Sequence, residues 1–178
     1  WRSEGRERRG QIKRPTQVEC TWMLVRTFVP EDSGDVEEIF GEAETMEYSE
    51  PPYDLEKTER FLAPVCIARG RAVAAVHKGS GKVIGYILFS EIQPREYELG
   101  WFFNRHVWRQ GYAYEACKTV MDYAFRTMEV QKIFAETIDG VKAVGLMQKL
   151  GMQLEEIQHD HENHRDWYIY GMKRCDLK

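Results

Sequence analysis

Ten consecutive residues, from Val107 to Ala116, combine the features of a binding site for a phosphate group. Gly111 lies between an aromatic and basic segment and the start of a helical pattern, and its lack of a Cβ lets a ligand approach the backbone closely. The first turn of a helix leaves backbone N–H groups without intrahelical acceptors, and the helix dipole adds partial positive charge there. These features predict a pyrophosphate site at the helix N-terminus, and therefore a phosphorylated cofactor.

The helix after Gly111 is predicted from its apolar residues, which recur at intervals of three and four positions. Such a continuous stripe is typical of a face packed in the core, so only the first turn of the helix is assigned to binding. The stripe consists of Ala113, Ala116, Cys117, Val120, Met121, Ala124, Phe125 and Met128.

A predicted strand, residues 96–103, leads into this segment and carries Glu98, the candidate catalytic residue. Alternation places Glu98, Gly100 and Phe102 on one face of the strand and the remaining aromatic residues on the other. A carboxylate among so many aromatic residues would be partly desolvated, which raises its pKa toward the range useful for a general base. The alternative is a structural glutamate bonded to the backbone or to an arginine.

The segment Trp-Arg-Gln-Gly-Tyr-Ala-Tyr-Glu-Ala, with Gln148-Lys149-Leu150-Gly151-Met152 downstream, resembles the GNAT acetyltransferase superfamily. It is most similar to the subgroup that contains the ribosomal-protein N-terminal acetyltransferases. In that family the loop before the long helix reads Arg/Gln-x-x-Gly-x-Gly/Ala and cradles the pyrophosphate of acetyl-CoA. Here Trp108 takes the first position, and the resemblance extends from about Val18 to Lys173. The implied cofactor residues of the loop are Trp108, Arg109, Gln110, Gly111, Tyr112, Ala113 and Tyr114.

The resemblance also implies how the reaction would proceed. The strand that carries Phe102, Phe103 and Asn104 would splay from its neighbour, bind the pantetheine arm, and polarise the thioester carbonyl through an N–H near Phe102 or Phe103. Glu98 matches a family glutamate that commonly faces the active site. We expect direct transfer of acetyl from acetyl-CoA to a primary amine, with a protein N-terminus favoured over a small amine or an antibiotic. The candidate acceptor-binding residues are Tyr48, Tyr53 and Tyr168, the first two on a loop over residues 46–53.

The helix predicted over residues 141–150 departs from the family pattern. The family's usual Asn and Ser correspond to Gly140 and Ala143, and the Tyr that some branches use as a general acid corresponds to Met147. The customary proton donors for the leaving thiolate are therefore missing. Water or another residue would protonate the thiol, turnover would be slow, or the protein would be a non-catalytic acyl-CoA-binding regulatory module.

The length and charge of the chain limit its domain organisation and its possible partners. Its 178 residues suit one domain, predicted over residues 17–178 after a basic N-terminal arm over residues 1–16. Residues 1–14 carry a net charge of +4 and the rest −8, so the arm is a candidate for RNA or ribosome contact, with a solvated tail as the favoured alternative.

No membrane segment or signal peptide is visible, and four scattered cysteines predict reduced thiols, no zinc site and a cytoplasmic protein. A monomer and a homodimer remain open.

The order of elements predicts the fold class. The pattern predicts a first strand over residues 18–29 and a helix over about residues 55–68. Antiparallel strands come first and strand–helix–strand–helix–strand follows, so we expect an α/β (α+β type) fold with a mixed, mostly antiparallel sheet of about seven strands and helices on both faces. Lys78-Gly79-Ser80-Gly81-Lys82 is predicted to be a hairpin turn rather than a phosphate loop. His159, His161 and His164 are interpreted as solvated histidines of a second hairpin loop rather than as metal ligands.

Overall fold

A computed structural model of the chain describes residues 17–177. The basic arm predicted over residues 1–16 lies outside the described residues. Within residues 17–177, none of the helices combines the length and the apolar character needed to cross a membrane.

The centre of the fold is a single eight-stranded sheet with the order β1-β2-β3-β4-β5-β6-β8-β7. All neighbouring strands are antiparallel except β5 and β6, which are parallel, so the predicted mixed and mostly antiparallel sheet is confirmed. The strands are β1 (Gln17–Glu19), β2 (Met23–Thr27), β3 (Ala72–His77), β4 (Val83–Gln93), β5 (Glu96–Phe103), β6 (Lys132–Thr137), β7 (Gln153–Asp160) and β8 (Arg165–Lys173).

The sheet has one strand more than expected because the first predicted strand is divided. Residues 18–29 were assigned to one strand, but the chain turns at residues 20–22, where the N–H of Cys20 donates to the carbonyl of Met23 at 3.0 Å. The two halves then pair with each other in an antiparallel hairpin. Such a short turn carries no Gly or Pro in this sequence, which is why the pattern did not show it.

Helices cover both faces of the sheet, and each face has its own core. Buried residues of β4 and β5 alternate between the cores: Tyr97, Leu99 and Phe103 pack with α3 and α4, whereas Tyr86 packs with α1 and the segment after α2. The alternation expected for the strand at residues 96–103 is therefore confirmed. The helices are α1 (Ser33–Phe40), α2 (Leu55–Phe61), α3 (Tyr112–Thr127) and α4 (Lys142–Lys149).

The segment after α2 widens into a π-helix, Leu62–Ala68, before β3 begins. The N–H of Arg69 donates to the carbonyl of Pro64 at 3.2 Å, and the N–H of Arg71 donates to the carbonyl of Val65 at 3.1 Å. The carbonyl of Arg71 in turn accepts from Phe89 of β4 at 2.9 Å. Both backbone bonds hold Arg71 at the start of β3, beside the middle of the sheet.

The two parallel strands at the centre of the sheet separate soon after they pair. The ladder between β5 and β6 contains three residue pairs, from Glu96 with Lys132 to Glu98 with Phe134. Beyond Glu98, β5 continues to Phe103 while still paired with β4, so residues 99–103 have no partner on the β6 side of the described sheet. This divergence opens the sheet at its centre.

Candidate active site

A cleft of about 1670 Å³ lies where β5 and β6 diverge. Its walls come from the free edge of β5, the end of β6, the loop before α3, the first turns of α3 and α4, and the turn at residues 44–49. Ten of the predicted site residues line this cleft: Tyr48, Glu98, Phe102, Phe103, Trp108, Arg109, Gly111, Tyr112, Ala113 and Tyr114.

Backbone alternation decides which amides of β5 face the cleft. The N–H of Asn104 donates to Ile84 of β4 at 2.8 Å, so the backbone groups of Asn104, and by alternation those of Phe102, point toward β4. The backbone groups of Phe103 then point away from β4. The carbonyl of Phe103 accordingly accepts from the indole N–H of Trp108 at 2.8 Å. The Phe103 N–H is therefore aimed at the cleft, and the Phe102 N–H is not.

The loop before α3 has the geometry of an anion site. Gly111 is the N-cap of α3 with a φ of 82° and a ψ of 5°, and no side chain caps the helix. The first α-helical bond runs from the N–H of Glu115 to the carbonyl of Gly111 at 3.1 Å, so the N–H groups of residues 112–114 have no intrahelical acceptor. A Cβ on Gly111 would meet no atom within 4 Å, because the space above it is the open cleft.

Two lysines of α4 add positive charge to this loop, and neither was among the site residues predicted from the sequence. The Nζ of Lys142 lies 5.3 Å from the ring centroid of Trp108, and the Nζ of Lys149 lies 4.4 Å from that of Tyr114. The two lysines are seven positions apart and therefore share one face of the helix, which is a signal that the sequence did carry. Asp139 fixes the start of α4, since its carboxylate accepts from the N–H groups of Val141, Lys142 and Ala143 at 3.0, 3.0 and 3.3 Å.

Glu98 lies half-buried at the point where β5 and β6 separate, directly opposite Ser90 of β4. Burial raises the pKa of the Glu98 carboxyl, and the negative charge of Glu136 raises it further. The guanidinium of Arg71 opposes part of this rise in pKa. A carboxyl with a raised pKa holds a proton more strongly once it has removed one, which suits a general base.

The positions that depart from the family pattern are explained in part by packing. A Cβ on Gly140 would lie 3.1 Å from the ring of Tyr168, so glycine here leaves room for that ring. Ala143 and Met147 line the cleft, and Met147 is only 1% exposed. Neither side chain can donate a proton.

Four predicted site residues do not line the cleft. Asn104 is buried, and its side chain accepts from the N–H of His106 at 3.0 Å, which fixes the loop from behind. Tyr53 is buried in the core of α1 and donates to the carboxylate of Glu50. Gln110 is exposed on the outer side of the loop, and the half-buried Tyr168 packs over residue 140.

His159 lies at the end of β7, and His161 and His164 lie on the turn that follows; all three are exposed, and the first two line the cleft. His159 pairs with Asp166 at 2.7 Å, and Asp160 pairs with Arg165 at 3.2 Å. Within residues 17–177, no group of three or more His, Cys, Asp and Glu side chains is arranged to hold a metal ion.

A family model described as an acetyltransferase (GNAT) domain matches residues 23–153. The chain belongs to the GNAT acetyltransferase family. As a GNAT protein it is an acyltransferase of the acetyl-CoA-dependent class. The uncharacterized N-acetyltransferase YnaD of Bacillus subtilis is 26% identical to it over 136 residues, which cover 75% of this chain and 80% of that protein.

Solved structures show the same fold. A GNAT-family acetyltransferase from Bacillus anthracis superposes with a TM-score of 0.83 at 24% identity, covering 90% of this chain and 99% of that one. Ribosomal-protein-S5-alanine acetyltransferase from Vibrio fischeri gives 0.74 at 19% identity, with coverage of 91% and 98%. Spermidine N-acetyltransferase from Vibrio cholerae, in complex with CoA and spermine, gives 0.75 at 17% identity, with coverage of 86% and 96%.

Proposed function

We propose that this GNAT protein transfers the acetyl group of acetyl-CoA to the amine of a protein N-terminus, with Glu98 as the general base. The observation that carries the proposal is the position of the half-buried Glu98 in the same cleft as the capless N-terminus of α3. One end of this cleft has donors for a pyrophosphate, and the other has a carboxylate with a raised pKa. An amine and a thioester bound between them would meet beside the free edge of β5.

The cofactor would be held mainly by backbone groups. The N–H groups of residues 112–114 would bind the pyrophosphate, and Lys142 and Lys149 would add charge to the phosphate end. The open edge of β5 would pair with the amides of the pantetheine arm. The N–H of Phe103 would then donate to the thioester oxygen as negative charge develops on it.

The reaction on the amine would need no covalent acetyl-enzyme. A free α-amino group titrates near pH 8, so at neutral pH it must lose a proton before it can attack the thioester. Glu98 would accept that proton through bridging water, because five residues of β5 separate Glu98 from Phe103. Among residues 17–177 no cysteine lines the cleft, and burial raises the pKa of the Cys66 thiol to about 12, so no thiolate is positioned to take the acetyl group.

The leaving thiolate would take its proton from water. Ala143 and Met147 carry no acidic proton, and they line the cleft where the family's donors would be. A thiol titrates near pH 8.5, so its thiolate is a tolerable leaving group at neutral pH.

The test of Glu98 compares two isosteric substitutions on the same strand. Glu98→Gln should lower kcat about a hundredfold or more, the usual scale for loss of a general base, and should leave acetyl-CoA affinity nearly unchanged. Glu96→Gln is the matched control, because Glu96 is two residues away on β5 and does not line the cleft. If the Glu98→Gln enzyme retains the wild-type kcat at saturating amine, Glu98 has a structural role and is not the general base.

The acceptor is tested with peptides and small amines side by side. Peptides with a free N-terminus should be acetylated, and the same peptides with a blocked N-terminus should not. Small polyamines are the second candidate, because a spermidine N-acetyltransferase shares the fold and the acidic Glu47 and Glu136 line this cleft. Turnover of polyamines without turnover of any peptide would show that the acceptor is a polyamine rather than a protein N-terminus.

A further inference from the structure

Arg71 is a basic side chain of the cleft that the cofactor does not account for. Two of its lysines lie over the rings of Trp108 and Tyr114, and Arg109 belongs to the anion loop. Arg165 pairs with Asp160. The guanidinium of Arg71 lines the cleft as well, and it has no ion-pair or hydrogen-bond partner among the described side chains.

Arg71 lies at the level of Glu98, on the acceptor side of the cleft. Its carbonyl accepts from Phe89 of β4, and the next residue of β4, Ser90, is directly opposite Glu98. Arg71 and Glu98 therefore lie two strands apart, which is roughly 10 Å between backbones, and their side chains approach closely enough for Arg71 to lower the pKa of Glu98. The N–H groups proposed to bind the phosphates belong to residues 112–114, beyond the far end of β5, so Arg71 is not part of the phosphate site.

A half-buried guanidinium that forms no hydrogen bond or ion pair within residues 17–177 is suited to bind an anion. Arginine presents its donors in a planar fork that matches a carboxylate, and removal of such a charge from water is unfavourable unless a partner replaces the water. The nearby buried Ser90 also lines the cleft and adds a hydroxyl between the two charged groups. The acceptor end of the cleft thus has a negative group for an amine and a positive group for an anion.

We propose that the acceptor of this enzyme carries a carboxylate close to its reactive amine, and that Arg71 binds this carboxylate while Glu98 receives the proton of the amine. The proposal rests on the proposed function and adds a substrate class to it. One residue of extended chain spans at most about 3.6 Å, so an acidic side chain at the second position of a peptide would reach Arg71 when the N-terminal amine lies at Glu98. A free amino acid offers the same pair of groups.

The experiment measures kcat and KM for two sets of acceptors with acetyl-CoA. The first set is peptides that begin Ala-Glu, Ala-Gln or Ala-Lys and are otherwise identical, and the second is free glutamate and glutamine α-amide. Wild-type enzyme should favour the acceptor with the acidic group over its amide by about tenfold or more in kcat/KM, mostly through KM, because Arg71 does not touch the reacting atoms. The set with the larger preference identifies the source of the carboxylate.

Substitutions of Arg71 separate recognition from a structural role. Arg71→Gln should abolish the preference by raising KM for acidic acceptors alone, and Arg71→Lys should keep part of it. Arg71→Glu should invert it, so that the Ala-Lys peptide becomes the better acceptor. Arg69→Gln is the matched control, since Arg69 is two residues away, exposed, and absent from the cleft wall.

Three results would overturn the proposal, and they are distinguishable. Equal kcat/KM for acidic and amide acceptors in both sets would show that the enzyme does not recognise a carboxylate on the acceptor, while the proposed acetyltransferase activity would stand. An Arg71→Gln enzyme that is equally impaired with every acceptor, and whose pH profile is shifted, would make Arg71 a structural neighbour of Glu98. Failure to acetylate any amine, although CoA still binds, would refute the proposed function and, with it, the proposed substrate class.

Discussion

Substitution of Gly111 by valine tests the cofactor site with a magnitude that follows from the structure. Gly111 has a φ of 82°, a conformation that is unfavourable for residues with a Cβ and most of all for β-branched ones. No atom lies within 4 Å of the position of a Cβ, so the cost of Gly111→Val is backbone strain rather than a clash, about 1–3 kcal/mol. For a chain of this size each kcal/mol lowers Tm by about 2–4 °C, so the apo variant should remain folded.

The same substitution should abolish stabilisation by CoA. At a hundred times its Kd, a ligand that binds only the native state contributes about 2.7 kcal/mol, which raises the wild-type Tm by roughly 5–10 °C. In Gly111→Val the added methyl groups occupy the open side of the loop. If the loop instead relieves its strain by adopting a negative φ, the N–H groups that face the cleft are reoriented. Either change removes the pyrophosphate site, and the Tm shift with CoA should disappear.

A second glycine provides the control for this experiment. Gly81 has a φ of 69°, also has no atom within 4 Å of a Cβ position, and lies in the turn between β3 and β4. Gly81→Val should therefore lower the apo Tm by a similar amount and keep the full CoA shift, measured by thermal unfolding across a CoA titration. A Gly111→Val protein that keeps the wild-type shift, or a Gly81→Val protein that loses it, would refute the assignment of the pyrophosphate to the N-terminus of α3.

Three further outcomes are expected. Because burial raises the pKa of Glu98, the stability associated with its protonated form is lost as pH rises through that pKa, so the Tm of Glu98→Gln should gain on that of wild type as the pH rises above about 4, and a constant difference would contradict the raised pKa. Ala143→Ser, which places a hydroxyl in the cleft, should keep or raise kcat when the variant melts like wild type, and a slower folded variant would mean that the enzyme has another acid. Lys149→Gln should weaken CoA binding severalfold at low salt and less at high salt, whereas Lys118→Gln, which breaks an exposed pair on α3, should not; equal effects would exclude a specific role of Lys149.

Much of the fold was predictable because local patterns and tertiary structure agree. The strand at residues 96–103 and the helix after Gly111 were predicted within a residue or two, since apolar periodicity of two and of 3.6 marks the faces that the cores bury. The helical segment at residues 55–68 was also expected, but its change from α2 to a π-helix was not. That change follows from how the chain is delivered to β3, where Arg71 bonds to Val65 and Phe89.

The candidate site divides in the same way between sequence and tertiary structure. The loop around Gly111 was predicted from the sequence because an anion site at a helix N-terminus consists of consecutive residues. The choice of the Phe103 N–H over that of Phe102 was not predicted, and neither were the positions of Lys149 and Arg71, since these depend on which backbone amide faces the cleft and on which side chains of distant strands and helices meet there.

The sequence by itself determined the order of strands and helices apart from the division of the first strand, the two apolar faces of the sheet, and the glycine that opens the first turn of α3. The physical basis of these features is local, because backbone preferences and the spacing of apolar residues act over a few positions along the chain. Only the tertiary structure decided that β5 and β6 separate after three residue pairs, and that Arg71, Glu98 and Glu136 share one cleft. Those outcomes depend on contacts between residues far apart in sequence, and no periodicity along the chain records them.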